Sequence, residues 1–134
     1  MGAEDGEAED WLTLGVAATL SQQYTSDQRG FLESLAGMLH RCLPDHTEVE
    51  RKGLLPVGNR PVRELRVTLG DHCYLIHDSG RGALAARRRL IKRGIALHTE
   101  DLAMEEWIRD LCAALEVHAR HNHSAAEALR RLAG

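Results

Sequence analysis

The clearest pattern along the chain is an alternation of apolar and polar residues on both sides of Gly70-Asp71. The stretches VRELRVTL (62–69) and HCYLIHD (72–78) have the two-residue period of β-strands. A two-residue turn that starts with glycine joins such strands into a β-hairpin. The register pairs Leu69 with His72, Val67 with Tyr74, and Leu65 with Ile76 on one face, and it leaves Glu64, Arg66, Thr68, Cys73, Leu75 and His77 on the other. One face is therefore predicted to pack on the core.

Residues 79–102 are compatible with two structures. As a strand pair they extend the sheet through a glycine-rich turn, with Leu90/Ile91 and Ile95/Leu97 as apolar positions and Gly94 as a bulge. As a helix, the segment ALAARRRLIKR has the better intrinsic propensity. The sequence leaves residues 83–93 open between the two. We favour strands, because Ile95 and Leu97 alternate and a further antiparallel strand completes a natural sheet.

A helix is predicted between Thr25 and Pro44. Thr25 and Gln28 have the spacing of a capping box, Asp27 suits the positive first turn, and Pro44 ends the helix. Apolar residues recur there at three- and four-residue steps: Phe31, Leu32, Leu35, Met38, Leu39, Cys42 and Leu43. This spacing places them on one face of the helix.

The remaining segments complete an α+β domain. Residues 11–24 predict a short helix, and residues 46–55 predict an edge strand followed by a loop rich in proline and glycine. Residues 103–122 carry a helical apolar stripe, and a short terminal helix is expected to start at Ser124. The predicted fold is thus an N-terminal helix, a three- to four-stranded antiparallel sheet, and a long C-terminal helix plus a short terminal helix.

The composition of the first ten residues predicts where the folded domain begins. Residues 1–10 hold five acidic residues and no basic one, so they predict an acidic disordered tail before a single domain at 11–134. The longest apolar stretch, residues 11–20, is about half as long as a bilayer span requires, so no membrane association is expected. Cys42, Cys73 and Cys112 are odd in number and widely spaced, which is typical of reduced thiols in a cytoplasmic protein.

Charge is divided unevenly along the chain. Residues 51–93 carry eleven Arg and Lys against three acids, whereas the formal net charge of the whole chain is −3. The candidate basic surface consists of Arg51, Lys52, Arg63, Arg66, Arg87, Arg88, Arg89, Lys92 and Arg93. Such asymmetry can mark a surface for an anionic partner. A solvated or self-neutralised surface is the competing interpretation, since abundant arginine is also typical of a high-GC genome.

The histidines His118, His121 and His123 invite a metal-site interpretation, which we do not favour. A zinc site needs three or four ligands in tetrahedral geometry, and the chain offers no partner at a recognisable spacing. Ser124 and Glu127 have the spacing of a capping box, so the histidines are expected to lie at a joint between two helices. No metal site is predicted.

A second motif resembles part of a dinucleotide-binding fingerprint. Gly80, Gly82 and Ala85 follow an apolar strand, and Glu100 lies twenty residues after Gly80. The preceding tight hairpin argues for an antiparallel sheet, and no further strand is expected after residue 102. We therefore interpret the segment as a turn and predict no cofactor.

These observations favour a non-enzymatic interaction module: an adaptor, a chaperone-like subunit or a regulator. Its basic sheet face is expected to bind a protein partner with an acidic surface. The alternative is a nucleic-acid-binding protein that uses the same face, although Tyr74, the only aromatic residue in the basic region, is predicted to point inward. The sequence offers no recognisable catalytic constellation. A homodimer is compatible with the predicted fold, and so is an acidic tail that folds over the basic region.

Overall fold

The computed structural model describes residues 15–53, 60–120 and 122–132, which form an α+β fold. A helix covers residues 15–26 (α1), and it is followed by α2 (Gln28–Cys42), β1 (Thr47–Arg51), β2 (Val62–Leu69), β3 (His72–His77), β4 (Ala85–Lys92), β5 (Ile95–Leu102), α3 (Met104–Ala119) and α4 (His123–Leu132). The predicted acidic tail at 1–10 lies outside the described residues. None of the described helices has the length and apolar character needed to cross a membrane.

The five strands form one antiparallel sheet in the order β1-β2-β3-β4-β5. The predicted β2–β3 hairpin is confirmed in its register, with Leu69 opposite His72 and Val67 opposite Tyr74. Gly70 has a φ of 62°, which allows the turn to begin there. The sheet has one strand more than the upper limit of the prediction, because β1 and the β4–β5 pair all join the same sheet.

Residues 83–93, for which the sequence allowed either a helix or a strand, contribute β4 to the β4–β5 hairpin. Arg93 (φ 54°) and Gly94 (φ 78°) make its two-residue turn, since Lys92 pairs with Ile95. Positive φ at both turn positions matches the right-handed twist of the strands. The prediction of a bulge at Gly94 was therefore wrong. The register shift lies between Leu90 and Ile91 instead.

The helix before the sheet is capped by Asp27 rather than by the predicted Thr25–Gln28 box. The Asp27 carboxylate accepts a hydrogen bond of 3.0 Å from the Gly30 backbone N–H. Thr25 lies inside α1, where its hydroxyl donates to the Ser21 carbonyl at 2.9 Å. The prediction was wrong because α1 continues to residue 26, so Thr25 has no free helix start to cap.

The joint between the last two helices also differs from the prediction in detail. Helix α4 begins at His123, one residue before the expected Ser124. The two carboxylate oxygens of Glu127 accept hydrogen bonds of 3.2 Å from Arg130 and Arg131, so this carboxylate stabilises the later turns of α4. His121 lies outside the described residues.

The hydrophobic core lies between the sheet and the helices. Helix α2 packs on β1 and β2, α3 packs on β2 and β4, and α4 packs on both helices. The Trp107 side chain of α3 is fully buried. Its indole N–H donates to the Arg87 carbonyl of β4 at 3.1 Å, and its ring meets the ring of Tyr74 edge-on at 6.2 Å between centroids. Tyr74 thus points inward, as predicted.

We expect Trp107→Phe to lower the free energy of unfolding by about 1–3 kcal/mol, because the smaller ring forfeits the hydrogen bond to Arg87 and leaves a void. Chemical denaturation followed by circular dichroism measures this. Val117→Ala on the same helix is the control: Val117 is exposed, and its truncation should change the free energy by less than about 0.5 kcal/mol. Equal effects of the two substitutions would contradict the structural role of Trp107.

Candidate interaction surface

The nine predicted basic residues do not form one uniform positive face. Six of them lie in ion pairs with acids from other parts of the chain or from the same strand: Arg51 with Glu33, Lys52 with Asp78, Arg63 with Glu50, Arg66 with Glu48, Glu50 and Glu64, Arg87 with Asp101, and Arg88 with Glu100 and Asp110. The local excess of positive charge in the sequence is therefore largely neutralised in three dimensions.

The helix-free face of the sheet is crossed by an ordered row of charges. Glu48, Arg66, Leu75, Arg87 and Asp101 are successive cross-strand neighbours from β1 to β5. The Arg66–Glu48 and Arg87–Asp101 pairs both have N–O distances of 2.9 Å. The row thus reads acid, base, apolar, base, acid, and its charges balance.

The apolar centre of this face is already shielded. Cys73 and Leu75 are 4% and 5% exposed, although none of the described helices packs on this side of the sheet. Their cross-strand neighbours include Arg66, Arg87 and Arg89. The long aliphatic stems of arginine cover apolar surface while the guanidinium groups stay in water. This face therefore does not need a partner to bury its apolar residues.

Arg88 lies on the opposite side of the sheet from Arg87 and Arg89. It pairs across the sheet with the buried Tyr74, and its guanidinium contacts Asp110 on α3 and Glu100 on β5. Burial raises the pKa of the Tyr74 phenol, and the nearby Asp110 carboxylate raises it further. Arg88 therefore ties α3 to the sheet and does not belong to the surface with which the sequence associated it.

A cleft of about 490 Å³ opens beside this cluster, between α3 and the β2–β3 turn. It is lined by Leu69, Gly70, Asp71, His72, Tyr74, Arg88, Asp110, Ala113, Ala114, Val117 and His118. The sequence does not reveal this cleft, because its lining comes from three separate stretches of the chain. The positive charge in this cleft is that of Arg88, which forms ion pairs with Glu100 and Asp110.

Lys52 serves a local structural purpose. Its ammonium group donates to the buried Asp78 carboxylate at 2.9 Å, and the Gly80 backbone N–H donates to the same carboxylate at 2.8 Å. The hydrogen bond from Lys52 is the largest cause that lowers the pKa of Asp78, and it outweighs the opposing effect of burial. The pair fixes the start of the β3–β4 connection.

The remaining three basic residues, Arg89, Lys92 and Arg93, lie at the hairpin end of β4. Arg89 donates to the Thr99 hydroxyl at 3.3 Å, and the three have no ion pair with any acid among residues 15–53, 60–120 and 122–132. Next to them are Ile95 and Leu97, which are 63% and 58% exposed. We call these five residues the β4–β5 corner. Its sequence signal was the alternation of the apolar residues Ile95 and Leu97.

The other sequence motifs take structural places. The His118 ring of α3 meets the His46 ring edge-on at 4.9 Å between centroids, and His123 begins α4. No group of three or more His, Cys, Asp or Glu suited to a metal ion occurs in the described part of the chain. Gly80 and Gly82 adopt positive φ in the β3–β4 connection. A strand rather than a helix follows them, so the segment lacks the helix N-terminus that holds a pyrophosphate.

Comparisons with protein-family models, with curated proteins and with solved structures gave no match. The surface is therefore interpreted from its own chemistry.

We expect Lys52→Met to lower the free energy of unfolding by about 1–3 kcal/mol at pH 7, because the buried Asp78 carboxylate loses its charged partner. The matched control is Lys92→Met, which removes an ammonium group with no ion pair in the described chain and should cost less than about 0.5 kcal/mol. Denaturant unfolding of both variants measures the difference.

The pH dependence of the same comparison follows from the lowered pKa of Asp78. A carboxyl group whose folded pKa lies below its unfolded value stabilises the fold above the unfolded pKa, and this contribution is lost as the pH falls through the folded pKa. The difference in the free energy of unfolding between the wild type and Lys52→Met should thus be largest near pH 7 and should shrink below about pH 4. A gap that grows in acid would contradict the assignment.

Proposed function

We propose that this chain is a non-enzymatic interaction module that binds an acidic protein partner at the β4–β5 corner. The observation that carries the proposal is the coincidence there of cations without acidic partners in the described chain and two strongly exposed apolar side chains. The site is thus the hairpin end of β4 and β5, where Arg89 and Lys92 lie on opposite sides of the sheet, rather than the whole predicted sheet face, whose other cations are balanced by carboxylates.

The chemistry of the corner suits a carboxylate-bearing protein segment. A guanidinium group binds a carboxylate through two parallel hydrogen bonds, and Lys92 adds a mobile point charge. Positive charges increase the rate of encounter with an acidic surface. Ile95 and Leu97 then add to the binding free energy, because the partner buries their apolar side chains. Both kinds of contact are needed for a specific interface, and both are present within one hairpin.

A nucleic-acid role is less well supported by the same residues. The corner has three cations and no aromatic side chain on which a base could stack. We take the protein to act in the cytoplasm, which fits the three free cysteines Cys42, Cys73 and Cys112.

The test compares two triple variants that change the net charge equally. The corner variant is Arg89→Gln, Lys92→Gln and Arg93→Asn, with asparagine chosen because it tolerates the positive φ of that position. The control variant is Arg29→Gln, Arg41→Gln and Arg109→Gln, which removes three exposed cations from α2 and α3. Each immobilised protein is titrated with polyglutamate and, separately, with duplex DNA over a range of salt concentrations.

We expect the corner variant to bind polyglutamate about tenfold more weakly, since each exposed ion pair contributes about 0.2–1 kcal/mol. The control should match the wild type. Equal losses in both variants would reject a defined acidic site. Binding of DNA that is tighter than binding of polyglutamate, and lost in the corner variant, would favour the nucleic-acid alternative.

A further inference from the structure

We propose that the acidic partner of the corner is a second copy of this chain, which pairs through β5 to make a two-fold symmetric dimer. This inference rests on the proposed function in that it uses the same surface, and it adds the identity of the partner and the mode of binding.

Strand β5 is an unpaired edge of the sheet. It runs for eight residues, Ile95–Leu102, and in the described chain it pairs with β4 on one side only. The other edge strand, β1, has five residues and a register shift at Glu50/Arg51, whereas β5 has its register shift opposite Leu90/Ile91 and is regular from His98 to Leu102. Short edges resist pairing with another chain, whereas longer edges with exposed apolar residues favour it.

The hydrogen-bond pattern of the sheet shows which backbone N–H and C=O groups of β5 point away from β4. The Ile91 N–H donates to the Asp71 carbonyl on the β3 side. Antiparallel residues direct their polar backbone groups alternately to one neighbour and the other, so Leu90 and Arg88 face β5. Their partners His98 and Glu100 face back to β4. Thr99 and Asp101 therefore direct their N–H and C=O groups out of the sheet, where a further strand can bind them.

The charges along β5 are opposite at its two ends. Lys92 and Arg93 stand at its start, and Glu100 and Asp101 stand near its finish. The Asp101 side chain is 86% exposed even though it pairs with Arg87, so it can accept a second cation. An acidic segment that ran along the whole of β5 would meet repulsion at the end that carries Glu100 and Asp101. A partner strand must instead be acidic at one end only.

A second β5 in antiparallel orientation meets this requirement. Leu97, which lies at the register shift of β5, is four residues in sequence from both Arg93 and Asp101, so a two-fold axis near Leu97 brings the basic end of each strand beside the acidic end of the other. The same axis brings together the exposed Ile95 and Leu97 of both copies. Two-fold interfaces are self-complementary in this way, and each contact occurs twice. The result is a continuous ten-stranded sheet across two chains.

The main experiment uses Thr99→Pro on the full chain, with the molar mass measured by light scattering and sedimentation over a concentration series. Proline removes the outward N–H of Thr99 and leaves the β4–β5 hydrogen bonds in place. Thr99→Ala is the matched control, because it loses the same hydrogen bond from Arg89 but keeps the N–H. Circular dichroism confirms that both variants are folded.

We expect a wild-type dimer, a dimer in Thr99→Ala, and a dissociation constant raised about tenfold or more in Thr99→Pro. A wild-type mass of one chain throughout the series would overturn the inference. A dimer that is unaffected by Thr99→Pro would place the interface elsewhere and overturn it equally. If Thr99→Pro unfolds, the charge exchange described next decides alone.

The charge exchange uses Arg93→Asp, Asp101→Arg and the two combined. Each single change places like charges at the interface and should weaken the dimer, while the combined change restores opposite charges and should restore it. Failure of the combined variant to recover would overturn the antiparallel arrangement. Thr99→Pro retains all three corner cations, so its binding of polyglutamate reports on the proposed function separately. A monomeric wild type that still binds polyglutamate at the corner would retain the function and reject the dimer.

Discussion

The contact on which the rest of the structure depends is the buried indole of Trp107 against β4. Its N–H donates to the Arg87 carbonyl, and its ring packs on Tyr74 of the neighbouring strand. This contact fixes α3 over the middle of the sheet. Arg88, the residue after Arg87 in β4, also holds this helix through its ion pair with Asp110. Because α3 is anchored on β4, β5 extends beyond the helical layer. The uncovered corner is a consequence of where that indole binds.

Sheet pairing also determines the electrostatics. The basic residues of β2 and β4 lie between acidic residues that come from β1 and β5. The run of positive charge seen along the sequence is thus interleaved with negative charge from outside the run. Only the hairpin end of β4 extends past its acidic neighbours, which is why Arg89, Lys92 and Arg93 remain without ion pairs in the described chain.

The β2–β3 hairpin was predictable because its alternation and its turn are local and agree with each other. The β4–β5 hairpin was harder to predict, since ALAARRRLIKR favours a helix locally and becomes a strand only through pairing with β3. The candidate site was predictable as a set of basic residues but not as a surface. Which cations are neutralised depends on register, and Glu48, Glu50 and Asp101 lie far from their partners in sequence. The cleft beside α3 leaves no sequence signature for the same reason.

The exposure of Ile95 and Leu97 is the feature that most needs a physical explanation. An edge strand with apolar side chains and outward backbone groups can recruit further chains without limit, which is a hazard for a soluble fold. Opposite charges at the two ends of β5 restrict this, because a parallel copy would place like charges side by side. The antiparallel pair that we propose satisfies the charges and uses the free β5 edge of both chains at once, so the proposed assembly closes at two copies. The second edge, β1, is short and charged, and it does not extend the sheet further. The proposed dimer thus gives the charge pattern and the apolar pair one common explanation: a single, oriented and self-limiting interface.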